Sequence, residues 1–160
     1  MDVEIFLRPG NLINRSSRLF ARWAEGRFRR LGLAMAQVPV LGALKDGGSM
    51  TQKELARLAQ IEQPTMAQLL ARMERDGLLR RTPDPGDRRS SLLSLTPAAV
   101  KKLPAAREVL TQGSTVALQG FTDREVATLS RLLKRVANNL AAATDDAGSN
   151  DAGTVQSKGK

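Results

Sequence analysis

Thr65, Gln68, Arg72 and Arg75 follow one another at intervals of three and four residues, so on a helix they share one polar face. Met66, Leu69, Leu70 and Met73 fall at i, i+3, i+4 and i+7 and form an apolar stripe on another side. A glutamine can pair bidentately with adenine, an arginine with guanine or phosphate, and a threonine methyl can touch the methyl of thymine. A polar helix face by itself usually meets only water, so the neighbours decide what this one does. Immediately after it come Arg80 and Arg81, the turn-rich run Pro83-Asp84-Pro85-Gly86-Asp87, and Arg88-Arg89. A helix followed by such a hairpin can lie in a major groove and lay the arginines of the tip by the adjacent minor groove, where narrow A·T-rich DNA is most negative. Asp87 beside two arginines is a poor phosphate ligand. It is better suited to accept hydrogen bonds and hold the loop in shape.

Other chemistries are thinned out by what the chain lacks. Its 160 residues include no Cys, no His and no Tyr. That excludes disulfides, thiolate nucleophiles and Cys-ligated zinc, and removes the commonest general base and metal ligand. No Gly-rich phosphate loop or serine elbow is present, and the acidic residues Asp145, Asp146 and Asp151 lack calcium-loop spacing. We therefore expect no catalytic residues, no metal and no cofactor. Lys and Arg number 25 against 16 Asp and Glu, for a net charge of +9, which favours a polyanionic partner. The uncharged runs Leu31–Leu44 and Val109–Thr122 are too short to span a bilayer. The acidic start Met1-Asp2-Val3-Glu4 lacks a secretory n-region. These features predict a soluble, cytoplasmic protein without a membrane partner.

The elements that must hold the polar face are mostly helical. A first helix is predicted after Arg8-Pro9-Gly10, with Asn11 as its cap and Leu12, Leu19, Trp23 and Leu31 roughly on one side. A second spans about Met35–Asp46, with Pro39 in its opening turn and Gly47-Gly48 as its end. Thr51 and Glu54 have the capping-box spacing that opens a third, in which Leu55 and Leu58 are expected to face inward. A turn around Ile61 leads to a fourth helix, from Pro64 to the stop at Gly77. Capped helix, short turn and longer helix make a helix-turn-helix. Strands are expected near Leu78–Thr82 and Ser91–Leu95. Thr96-Pro97 opens a fifth helix that Pro104 should kink or restart. Thr122 and Glu125 form a second capping box before a sixth helix carrying Val126, Leu129, Leu132, Leu133, Val136 and Leu140. From Thr144 the chain is poor in large apolar residues, and we expect a disordered tail.

From about Leu33 to Val136 the chain resembles the MarR family of bacterial transcription regulators. The resemblance is carried by "RMERDGLLRR", "DPGDRR", "LSLTPAA" and the later "GFTDREVATLSRLLKRVANNL". It implies a mainly α fold with a small β wing: a winged helix-turn-helix lobe over 33–96, and a helical dimerisation region from 1–32 and 97–143, ahead of the tail at 144–160. It implies a homodimer gripping a palindromic double-stranded DNA operator, most simply as a repressor released by a small aromatic acid or phenol. The alternative is an effector-independent accessory or architectural protein on the same fold. The candidates for DNA contact are Gln63, Thr65, Met66, Gln68, Arg72 and Arg75 on the recognition helix; Met66 thus stands in both sets. Asp87, Arg88 and Arg89 are the wing candidates, and Thr51 and Lys53 the backbone candidates. Family members that sense oxidants or metals do so with Cys or His, which this chain lacks, so an effector would be organic. Arg15, Arg18, Arg22 and Trp23 are its candidate contacts, although a large inward side chain such as Trp23 more often simply packs.

Overall fold

The computed structural model describes residues 7–87 and 89–151, the side chains of 145–151 excepted. Arg88, a wing candidate, lies outside the described residues. In order, the elements are α1 (Pro9–Arg30), a 3-10 turn (Met35–Gln37) running into α2 (Val38–Leu44), β1 (Met50–Thr51), α3 (Gln52–Ala59), α4 (Gln63–Arg75), β2 (Leu79–Pro83), β3 (Ser91–Leu95), α5 (Pro97–Ala117) and α6 (Asp123–Asp151). The chain divides into two compact units, Met1–Ala117 and Leu118–Lys160. The fold is mainly helical with a small antiparallel sheet, as the sequence predicts.

Within the first unit, the helices close over one core. Phe28, Val40, Leu44, Leu55, Met66, Leu70, Met73 and Leu93 are the largest fully buried side chains. Each such burial is worth about 1.5–3 kcal/mol. Thr51 starts α3 as foreseen: its hydroxyl accepts from the Glu54 N–H at 3.2 Å, and the Thr51 N–H donates back to Glu54 Oε2 at 2.7 Å. Gly77 ends α4 with φ +70°, a conformation that glycine adopts without a Cβ penalty. Thr96 closes the base of the hairpin. Its hydroxyl donates to the Gly77 carbonyl at 2.7 Å and accepts from the Ala99 N–H at 3.2 Å, so one side chain ties the end of α4 to the start of α5.

The structure differs from the sequence reading in several places. The cap of α1 is Arg8, with Pro9 in the first turn and Asn11 already helical, because proline's fixed φ suits the first helical position. Leu58 is 51% exposed. The buried pair of α3 is Leu55 and Ala56, which leaves Leu58 about 100° around the helix from that face. A third strand, β1, was not foreseen. Its two residues pair antiparallel with β3, Met50 opposite Leu93, giving the order β1-β3-β2. A two-residue strand carries no periodicity to detect. Helix α5 begins at Pro97 and continues through Pro104 without a new start.

The second unit contains α6, which opens on the expected box: the Thr122 N–H and hydroxyl both donate to Glu125 Oε2 at 2.8 Å. The helix continues to Asp151, past Thr144 where the tail was expected to begin. The Ala-rich stretch 141–143 has high helix propensity, and the Thr144 hydroxyl folds back onto the Leu140 carbonyl at 2.8 Å. Residues 152–160 of that segment lie outside the described residues. Leu132, Leu133 and Leu140 are exposed.

Candidate nucleic-acid interface

Helix α4 separates its two faces cleanly. Met66, Leu69, Leu70 and Met73 are buried, while Gln63, Thr65, Gln68, Arg72 and Arg75 are exposed. Met66 is the correction among the recognition-helix candidates. It is 0% exposed and anchors the first turn to the core, so it cannot reach a base. Its position beside Thr65 in sequence puts it about 100° away on the helix. Gln63 is exposed but engaged: its Oε1 accepts from Gln52 Nε2 at 3.2 Å, which links the first turns of α3 and α4. Lys53 is exposed in the first turn of α3. The Thr51 hydroxyl donates to Glu54 Oε2 at 2.8 Å, so its proton is committed within the cap.

The wing is a regular hairpin with a braced tip. Its strands pair from Leu79 opposite Leu95 to Pro83 opposite Ser91. At the tip, Asp87 Oδ1 accepts from the Arg89 backbone N–H at 2.9 Å, and Asp84 Oδ1 accepts from the Gly86 N–H at 2.9 Å. The Ser90 N–H donates to the Asp87 carbonyl at 2.9 Å. Asp87 thus shapes the loop, while the Arg89 side chain is exposed.

A contact the sequence did not reveal joins this wing to α4. Arg81 donates from Nε to Glu74 Oε1 at 3.0 Å and from Nη2 to Glu74 Oε2 at 2.9 Å, a bidentate fork. Its Nη1 also donates to Ser91 Oγ at 2.7 Å. One guanidinium therefore links α4, β2 and β3. The Glu74 carboxylate raises the Arg81 guanidinium above its ordinary value. Arg80, its neighbour, donates to Ser94 Oγ across the strand pair at 3.0 Å. The only sequence signal for the clamp is an acid near the end of one helix and a base near the start of the next strand, seven positions apart. That spacing is common.

The effector candidates fare differently. Arg15, Arg18 and Arg22 are exposed on α1. Trp23 is half-buried, with the Arg27 guanidinium 3.7 Å from its ring centroid and Phe20 at 6.4 Å. A Cβ on Gly113 of α5 would sit 2.8 Å from Phe20 and 2.9 Å from Trp23, so the indole is in close contact with α5 and packs. A groove of about 870 Å³ lies between α2 and α5, lined by Leu41, Leu103, Lys45, Arg107, Asp46 and Glu108 among others. None of the four candidates lines it.

A profile described as "MarR family" matches residues 31–90, which contain α2 to α4, β2 and most of the wing loop. Over 122 residues the chain is 32% identical to YwoH, an uncharacterized HTH-type transcriptional regulator of Bacillus subtilis (strain 168), covering 76% of this chain and 88% of that one. The chain belongs to the MarR family. It is a DNA-binding transcription regulator, and regulators of this family are not enzymes. It is also 27% identical to the HTH-type transcriptional repressor IacR of Pseudomonas putida, over 78% of this chain and 76% of that one. A crystal structure of a MarR mutant from E. coli, complexed with operator DNA, superposes with a TM-score of 0.76 at 25% identity, covering 85% of this chain and 99% of that one. In this MarR-family chain, α4 and the β2–β3 wing correspond to the helix and hairpin that the sequence singles out, and no described helix is long and apolar enough to cross a membrane.

Proposed function

We propose that this chain acts in the cytoplasm as a homodimeric repressor that reads a palindromic operator through α4 and is released by a small aromatic acid or phenol. The observation that carries the reading is the exposed row Thr65, Gln68, Arg72 and Arg75 opposite a buried apolar stripe, with the wing clamped beside it by Glu74 and Arg81. Gln68 and Arg72 reach base edges, Arg75 and Lys53 contact phosphates, and Arg89 at the tip enters or borders the minor groove. Two uncovered apolar surfaces support a dimer: Leu12 and Leu19 on α1, and Leu132, Leu133 and Leu140 on α6. A repressor, IacR, is among the relatives.

The α2–α5 groove supports a ligand in place of the α1 arginines. Its volume falls within the range of small-molecule sites, its lining includes Val38, Leu41, Val100 and Leu103, and Arg107 supplies a cation for a carboxylate, with Lys45 nearby in an ion pair with Asp46 at 3.0 Å. Release is a population shift: the ligand must bind more tightly to the arrangement of lobes that misfits successive major grooves. The purified chain should retain genomic fragments that contain an inverted repeat with half-sites about one helical turn apart. Adding an aromatic acid such as benzoate or salicylate should free them. Retention that no aromatic acid or phenol reverses would instead support the effector-independent reading.

A further inference from the structure

Helix α1 carries a charge pattern that its own stability does not explain. Arg15, Arg18, Arg22 and Arg29 fall within about 60° of arc at about 100° per residue, and span about 21 Å of helix at about 1.5 Å per residue. All four are exposed. Among the described residues none of them makes an ion pair or a hydrogen bond through its side chain. The face lies away from the side that packs on α5, where Ala24 and Phe28 are buried. Arg15–Arg18 and Arg18–Arg22 stand at the i,i+3 and i,i+4 spacings, where like charges destabilise a helix.

Among the described residues the expected relief is absent. Glu25 is the only acid of α1 and is spaced to pair with Arg22 and Arg29. Its carboxylate instead accepts from the Met35 N–H at 3.1 Å, holding the turn before α2. The first turn of α1 has no acid, the position from which an acid would offset the positive end of the helix dipole. Arg27, on another face, shows what a structural arginine does in the same helix: it stacks on Trp23 and donates to the Trp23 carbonyl at 2.8 Å.

We propose that the Arg15–Arg18–Arg22–Arg29 stripe binds the phosphate backbone of a second DNA duplex, independently of sequence, while α4 holds the first. Guanidinium forks suit phosphate oxygens, and a DNA strand presents a phosphate about every 3.4 Å of axis, so the stripe can reach several at once. No leucine or aromatic residue lies within the stripe's arc to insert into a lipid surface, which favours DNA over an anionic membrane. The proposal goes beyond the operator reading: it rests on α4 holding DNA, but not on α4 reading its sequence.

The test saturates an immobilised random-sequence duplex with the full-length chain, then offers a labelled second duplex of unrelated sequence. The wild type should retain the second duplex. The variant R15Q/R18Q/R22Q/R29Q should retain at least tenfold less while binding the first duplex within twofold. The single variants R18Q and R22Q should give graded losses, and the all-Lys version R15K/R18K/R22K/R29K should restore most of the capture. The salt slope of second-duplex capture should fall by about three to four units in the Gln variant. Equal capture by wild type and Gln variant would overturn the proposal, as would no capture by the wild type. So would parallel loss of both duplexes, which would merge the stripe with the α4 surface. Binding to phosphatidylglycerol vesicles that the stripe variant loses, without any second-duplex capture, would replace DNA with a membrane and also overturn it.

Discussion

In α4, Met66, Leu70 and Met73 are fully buried, whereas in α6 Leu132, Leu133 and Leu140 keep 44%, 41% and 63% of their surface. The two helices have the same kind of stripe, apolar residues at threes and fours with polar residues between. The difference lies in what covers them. The apolar stripe of α4 belongs to the buried core of its own unit, together with Leu55, Leu79 and Leu93, while the leucines of α6 remain open. Helical period tells which side chains share a face. What that face meets depends on residues far away in the chain, or on a second chain.

The sharpest way to break the comparison is to truncate one residue in each stripe. Leu70→Ala should destabilise the protein by about 2–5 kcal/mol, since it opens a cavity in a sealed core. Urea unfolding would measure it. The same truncation in α6, Leu133→Ala, should cost much less at low protein concentration and more at high concentration. A next step down is the double variant L133D/L140D. It should sediment as a monomer with near-native circular dichroism and lose most of its affinity for a two-half-site duplex. A variant that still sediments as a dimer would remove α6 from the interface.

The clamp between α4 and the wing sets a smaller difference. Glu74→Gln replaces a bidentate ion pair with a weaker contact at a partly exposed site. Stability should fall by only about 0.2–1 kcal/mol. Its larger mark should be on DNA, with an affinity several-fold lower at low salt as the wing loses its fixed angle to the helix. Titration with labelled operator would show it, and unchanged affinity would reduce the clamp to a surface pair.

The smallest effect concerns the two helix starts. Backbone and hydroxyl hydrogen bonds from Thr51 and Thr122 hold the Glu54 and Glu125 carboxyls below their ordinary 4.5. A depressed carboxyl stabilises the fold at neutral pH, and that contribution fades as the pH falls below about 4.5 and through the folded value. Glu54→Gln should therefore lower the melting temperature slightly at neutral pH and flatten its decline on acidification. Thermal unfolding between about pH 3 and pH 7 would test this.

Both capping boxes, the glycine stop at Gly77 and the division of α4 into two faces were legible because local chemistry dictates them. The loop-holding role of Asp87 was legible for the same reason, though not the Arg89 N–H as its donor: the chain must turn there, and an aspartate stabilises such a turn. The Glu74–Arg81 fork was not, because it depends on how the hairpin folds back onto α4. Met66 stands in both the apolar stripe and the set of DNA candidates, and the stripe, which follows from helical period, decides its burial. For the α1 arginines only the charge was legible. Their outward direction follows from the packing of α1 against α5.

Enrichment of duplexes from a random library by the wild-type chain and by Gln68→Ala tests the central claim most directly. The wild type should enrich an inverted repeat, and the variant should keep that repeat while losing discrimination at one base pair in each half-site. An identical base preference in both, or no repeat enriched by the wild type, would contradict base reading by the exposed face of α4.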